Sequence, residues 1–161
     1  MDLRSTLGDA ASCAGVGALA GLAGTAAMTV SSTVEAKLRG RGSSDTPVTA
    51  AGAVLGVEPS DEAGKKRFGT LVHWGYGTGW GTVRGLLDAA GLRGPAATAA
   101  HLAAVWGGEQ VVLPATGASS PAWKWGIKEI AIDLLHHAVY VAATSTVYEV
   151  LDPHRRPRRH R

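Results

Sequence analysis

With one cysteine, one phenylalanine and two methionines, the 161-residue chain lacks the side chains several classes of protein need. Cys13 cannot close an internal disulfide, and no CxxC or Cys/His spacing points to zinc. Charge of one sign is scarce as well. Sixteen Lys and Arg face thirteen Asp and Glu, and the small excess sits in a linker and a tail rather than on one face. That distribution argues against a nucleic-acid surface. Met1-Asp2-Leu3-Arg4 has no net positive charge, and the apolar run after it is too long for a signal peptide's h-region. Ala10-Ala11-Ser12-Cys13 looks superficially like a lipoprotein cleavage site, but the apolar stretch follows the cysteine, so lipidation is discarded. No internal repeat is convincing.

What the chain does have is long stretches poor in charge. A mean hydropathy of +0.06 would suit a soluble protein. The average is diluted by a charged linker and an Arg-rich end, while the apolar blocks are built from Ala, Gly and Thr. Residues 10–34 carry no charge over about 25 positions, enough for a helix to cross the roughly 30 Å hydrocarbon core. Three further segments follow, at about 68–90, 95–114 and 127–151. The expectation is an all-α, polytopic membrane protein with a four-helix transmembrane bundle. Residues 1–153 make one domain in this reading, and 154–161 a disordered basic tail. The expected localisation is the cell (inner or plasma) membrane, multi-pass, with the lipid bilayer as principal partner. Anionic lipid is expected at the tail, and a homo-oligomer is compatible with the size.

In the first segment Gly17 and Gly21 form a GxxxG pair, the spacing that lets membrane helices approach closely. Glu35 at its end reads as a solvated residue. In the linker, Asp45 or Thr46 can cap a short helix with Pro47 in its first turn. Val48, Ala51, Val54 and Leu55 give that helix an apolar face suited to the membrane surface, and Gly56 ends it. Ser60 then caps the second span. Gly77, Gly81 and Gly85 line one groove of that span, with Trp74, Tyr76 and Trp80 largely elsewhere. The glycine alternation from Gly75 to Gly81 invites a strand, but a lone strand cannot satisfy its backbone in lipid. Gly75-Tyr76-Gly77 matches a potassium-filter fragment in no more than those three residues. His101 and Glu109 share a broad face of the third segment. Ser120 and Pro121 are placed to open the last helix, with Trp123 and Trp125 at headgroup depth.

The last segment carries the most chemistry. At about 100° per residue, Glu129, Asp133, His136, Tyr140 and Thr144 fall on one stripe. Ionisable groups facing lipid are costly, so His73, Arg84, His101, Glu109, Glu129, Asp133, His136 and His137 are expected to form a polar seam between the second, third and fourth spans. Three readings stand. The seam is structural or mediates interaction, with pairs such as Arg84 with Asp133 or Glu109. Alternatively it conducts protons or cations, as a small channel or transporter subunit. The last alternative is a bound metal, with Glu129, Asp133 and His136 as candidate ligands, or a haem held by His73 or His101 together with His136 or His137. Cofactors are otherwise none, no residue is assigned a catalytic role, and no Ser has a nucleophile's surroundings. Orientation stays open: the basic linker and basic tail both favour the cytoplasm, and four spans cannot place both there.

The element order, with a Gly/Ala-rich first helix, a His/Trp-containing second, a third ending near Pro114, and Glu129 and His137-Ala138-Val139 in the last, resembles the YagU-like small inner-membrane proteins. The resemblance implies a membrane protein without an established activity, so it carries over no catalytic role. The first linker is shorter than the family pattern, and the Arg-rich tail is not a mark of it.

Overall fold

The computed structural model describes residues 3–42 and 44–152. Among them every regular element is helical: α1 (Leu3–Leu38), α2 (Thr46–Leu55), α3 (Glu62–Ala89), α4 (Gly94–Ala115), a single 3₁₀ turn (Ala122–Lys124) and α5 (Ile127–Leu151). The basic tail expected at 154–161 lies outside the described residues. Two helices are long and apolar enough to cross a membrane, spanning Arg4–Leu38 and Ile127–Leu151. The other two long helices fall short by composition. Lys65, Lys66 and Arg67 and seven glycines from Gly64 to Gly85 lower the apolarity of α3, and His101, Glu109 and Gln110 interrupt α4.

Local chemistry sets the boundaries. α2 begins after Asp45 with Pro47 in its first turn and ends at Gly56, whose φ of 66° is left-handed and strained for other residues. Asp61, not Ser60, caps α3: its carboxylate accepts from the Gly64 N–H at 2.6 Å. One position later in the chain is where the side chain reaches the third amide. Ser120 and Pro121 do not open the last helix. The 3₁₀ turn intervenes, Trp125 Nε1 donates to the Ser120 carbonyl at 2.8 Å, and α5 starts after Gly126.

α1 is the centre of the arrangement, with α3 on one side and α5 on another, while α4 leans on α5 and α3. Glycine makes this possible. A Cβ on Gly21 would lie 2.9 Å from the Gly81 Cα, and one on Gly81 would lie 2.5 Å from the Gly21 Cα. Gly17 faces Gly81 and Gly85, Gly77 faces Thr25, and Gly85 faces the Cys13 backbone. Gly24 does the same against α5, where an added Cβ would meet the Tyr140 carbonyl at 2.8 Å. Such backbone proximity maximises dispersion contacts and lets polar groups meet across helices. Tyr140 Oη, for example, donates to the Gly77 carbonyl at 2.6 Å.

The seam expected between the second, third and fourth spans is therefore corrected: α1 supplies much of its partner set. The outer faces remain apolar, with Leu19, Val30, Leu71, Val111, Leu135 and Val150 all exposed. On α2, Val48 rests near Gly69, but Val54 and Leu55 are exposed.

Candidate functional site

The eight ionisable residues picked out in the sequence fall into separate surroundings. Near the α1–α2 end, Arg39 reaches both oxygens of Glu129 at 2.9 and 2.5 Å and also meets Glu35 at 3.0 Å. Hydrogen bonds donated to Glu129 and then Glu35 push the guanidinium's pKa further up. Arg41 pairs with Glu35 as well. Glu35 is thus no solvated end residue: its side chain is only 13% exposed and is held by two arginines. At the start of α3, Lys65 donates to Asp45 of the linker at 2.6 Å, which pushes the ammonium's pKa up.

His136 sits against α1. Its Nδ1 is 2.8 Å from Ser31 Oγ, and its Nε2 is 3.8 Å from Glu35. His73 Nε2 meets Thr29 Oγ1 at 2.9 Å. Because the Thr29 hydroxyl donates to the Thr25 carbonyl at 2.7 Å, the imidazole is the donor in that pair. His101 donates from Nε2 to the Trp80 carbonyl at 2.9 Å and tilts over Tyr140. It does not join Glu109, which lies eight residues on, about 12 Å along the helix.

The metal trio read from the sequence, Glu129, Asp133 and His136, is not brought together. Glu129 turns out to Arg39 and His136 turns to α1. A different set converges: Glu109 of α4 with Asp133 and His137 of α5, each offering a ligand atom within 4.8 Å of the others. Neighbouring positions on a helix differ by about 100°, so His137 rather than His136 points at α4.

The hydrogen bonds around this centre fix its chemistry. His137 Nδ1 lies 2.9 Å from the Asp133 carbonyl. A carbonyl can only accept, so Nδ1 carries the proton and the other nitrogen, Nε2, is left facing Glu109 Oε2 at 3.2 Å. A neutral imidazole nitrogen and a carboxylate oxygen are both acceptors. A positive charge, either a proton or a metal ion, has to lie between them for the contact to be favourable. Trp106 Nε1 donates to Asp133 Oδ2 at 2.9 Å and orients the second carboxylate. Nothing in the sequence pairs Trp106 with Asp133; only the α4–α5 packing does.

No family model matches the chain, and no curated protein or solved structure does.

At the opposite end of the bundle, Arg84 is paired with neither Asp133 nor Glu109. It is buried, with Nε 3.4 Å from Ser145 Oγ and its guanidinium carbon 4.5 Å from the centre of the Tyr148 ring. The parallel course of α3 and α5, each antiparallel to α1, is the reason. The C-terminal part of α3 lies beside the C-terminal part of α5 across the α3–α4 turn, and Asp133 is near the other end. Four residues on from Arg84, Asp88 holds Arg93 Nε at 3.3 Å and faces Cys13 Sγ at 4.0 Å. Asp88 and Tyr148 were not singled out in the sequence, and Cys13 was not placed in any site there. Asp88 was detectable, four residues after Arg84 on the same helix face.

Proposed function

We propose that this chain is a multi-pass membrane protein in which α1, α3, α4 and α5 all cross the bilayer and the polar side chains between them fasten the bundle. Its role on this reading is structural or interactive, with its apolar outer surface open to lipid or to further copies. The observation that carries the reading is the inward pairing of the polar groups. His73 reaches Thr29, His136 reaches Ser31, Trp106 reaches Asp133 and Tyr140 reaches the Gly77 carbonyl, while large aliphatic side chains point outward. Interior polar pairs beneath an apolar surface are the arrangement a bilayer demands. The resemblance to YagU-like inner-membrane proteins supports the same conclusion. Carbonate extraction of cell membranes and reporter fusions in the linker, after residue 92, after residue 118 and at the end of the chain test it. Retention in the pellet with alternating reporter signals is expected. A monodisperse protein obtained without detergent overturns it.

A second reading takes the cluster of Glu109, Asp133 and His137 as a cation-binding centre. The 3.2 Å between His137 Nε2 and Glu109 Oε2 is close to the edge of a tetrahedron with bonds of about 2.0–2.1 Å, as for zinc. The imidazole and two carboxylates also suit manganese or iron. Metal analysis of detergent-purified protein tests the metal form of this reading. Near-stoichiometric metal lost in His137→Ala supports it, and liposome flux that collapses in Asp133→Asn and Glu109→Gln supports proton or cation passage. Metal-free protein with unchanged flux leaves the centre a structural hydrogen-bonded contact.

A further inference from the structure

A cleft of about 650 Å³ opens where the ends of α3 and α5 meet the start of α4. Arg84 and Tyr148 line it, and each is only 1% exposed. Both carry a polar atom without a partner: Arg84 Nη1 and Tyr148 Oη make no hydrogen bond. A buried guanidinium normally has an anion beside it, because an uncompensated charge out of water is costly. Here Arg84 has the Tyr148 ring face and one long contact to Ser145. The nearest acid along its own helix, Asp88, forms its ion pair with Arg93.

The charges lining the cleft define what fits. Asp88 and Arg93 cancel each other. Arg84 remains, and Glu149 brings negative charge toward the end of α5. A simple polyanion is repelled by Glu149, and a simple cation by Arg84. A zwitterion satisfies both. We infer that this cleft binds a phosphate group joined to an amine, with the phosphate oxygens taking the donors of Arg84 and Tyr148 and the ammonium near Glu149. Arg84 is five residues inside the end of α3, about 7 Å along the axis, which on the bilayer reading is headgroup depth. An ethanolamine phospholipid supplies this chemistry there; phosphoethanolamine supplies it in solution. Only the lipid source rests on the bilayer reading.

The experiment is thermal unfolding of the full chain in a neutral detergent, titrated with short-chain phosphatidylethanolamine, phosphatidylglycerol or phosphoethanolamine. A saturable rise in Tm is expected with the ethanolamine lipid, and little with the glycerol lipid. Arg84→Gln should weaken apparent binding by on the order of tenfold or more, the usual effect of removing a hydrogen bond to a charged partner. Tyr148→Phe, which removes only the hydroxyl, should weaken it less and serves if Arg84→Gln fails to fold. Glu149→Gln should narrow the gap between the two lipids. A response to phosphoethanolamine equal to that of the lipid keeps the site and assigns it to a soluble ligand, and it does so whether or not the chain spans a bilayer. Equal responses to both lipids, no response at all, or the same response in wild type, Arg84→Gln and Tyr148→Phe overturns the inference.

Discussion

Gly21 of α1 and Gly81 of α3 touch backbone to backbone: a Cβ built on Gly81 would lie 2.5 Å from the Gly21 Cα. Neither neighbour can swing aside as a side chain would, so any larger residue must push the helices apart. Gly81→Ala is expected to destabilise the protein by about 1–3 kcal/mol, the usual effect of overpacking a tight contact. Gly79→Ala is the control, because a Cβ there meets nothing within 4 Å. Thermal unfolding in detergent compares them, and equal melting of the two variants contradicts this close approach.

Arg39 ties the end of α1 to the start of α5 through Glu129. The pair is partly exposed and screened by salt, so Arg39→Glu is expected to lower stability modestly, more at low ionic strength than at high. The swap Arg39→Glu with Glu129→Arg should recover part of the loss. Absence of recovery would place the effect of Arg39 in its other contact, with Glu35.

The centre at Glu109 separates a proton from a metal. In Glu109→Gln the amide can donate to His137 Nε2, so the helix contact survives while a metal loses an anionic ligand. Unchanged melting with lost metal is the expected result on the metal reading. Trp106→Phe removes the donor that orients Asp133 and should weaken metal binding by about 10–100-fold, as loss of an outer-shell partner typically does. A metal affinity indifferent to both substitutions would show that any bound ion sits elsewhere.

Tyr140→Phe deletes one hydrogen bond, to the Gly77 carbonyl, and leaves the ring packed against Val105 and His101. The expected loss is about 0.6 kcal/mol, the average for such bonds between membrane helices. A loss several times larger would mean that the hydroxyl holds more than this contact, for instance Thr144 beside it.

Much of the helical layout was legible in the chain. The limits of α2 follow from Asp45, Pro47 and Gly56, and a last helix over 127–151 follows from its apolar run. Ser60 and Ser120 looked like caps because their side chains suit the role. Which residue caps is decided by where the first free amides point, and Asp61 and Gly126 occupy those places. The candidate site was legible only in its residue types. Periodicity put Glu129, Asp133 and His136 on one stripe, and no rule of period says which neighbour each end of the stripe meets. α1, featureless apart from its small residues, became the partner of His73 and His136 through Thr29 and Ser31, which no sequence pattern marks out.

Composition and order by themselves determined that the chain is helical, because charge-poor runs rich in Ala and Gly, punctuated by Pro and Gly, have no better way to satisfy their backbone. They also determined which side chains are too polar to lie on an apolar surface. Only the tertiary structure decided how those side chains are partnered: Glu109 with His137, Arg39 with Glu129, and Arg84 with Tyr148 and an open cleft. The physical reason is that partnership depends on the rotation, direction and register of each helix. Those are fixed by backbone contacts at glycines from different segments, which no single stretch of sequence contains.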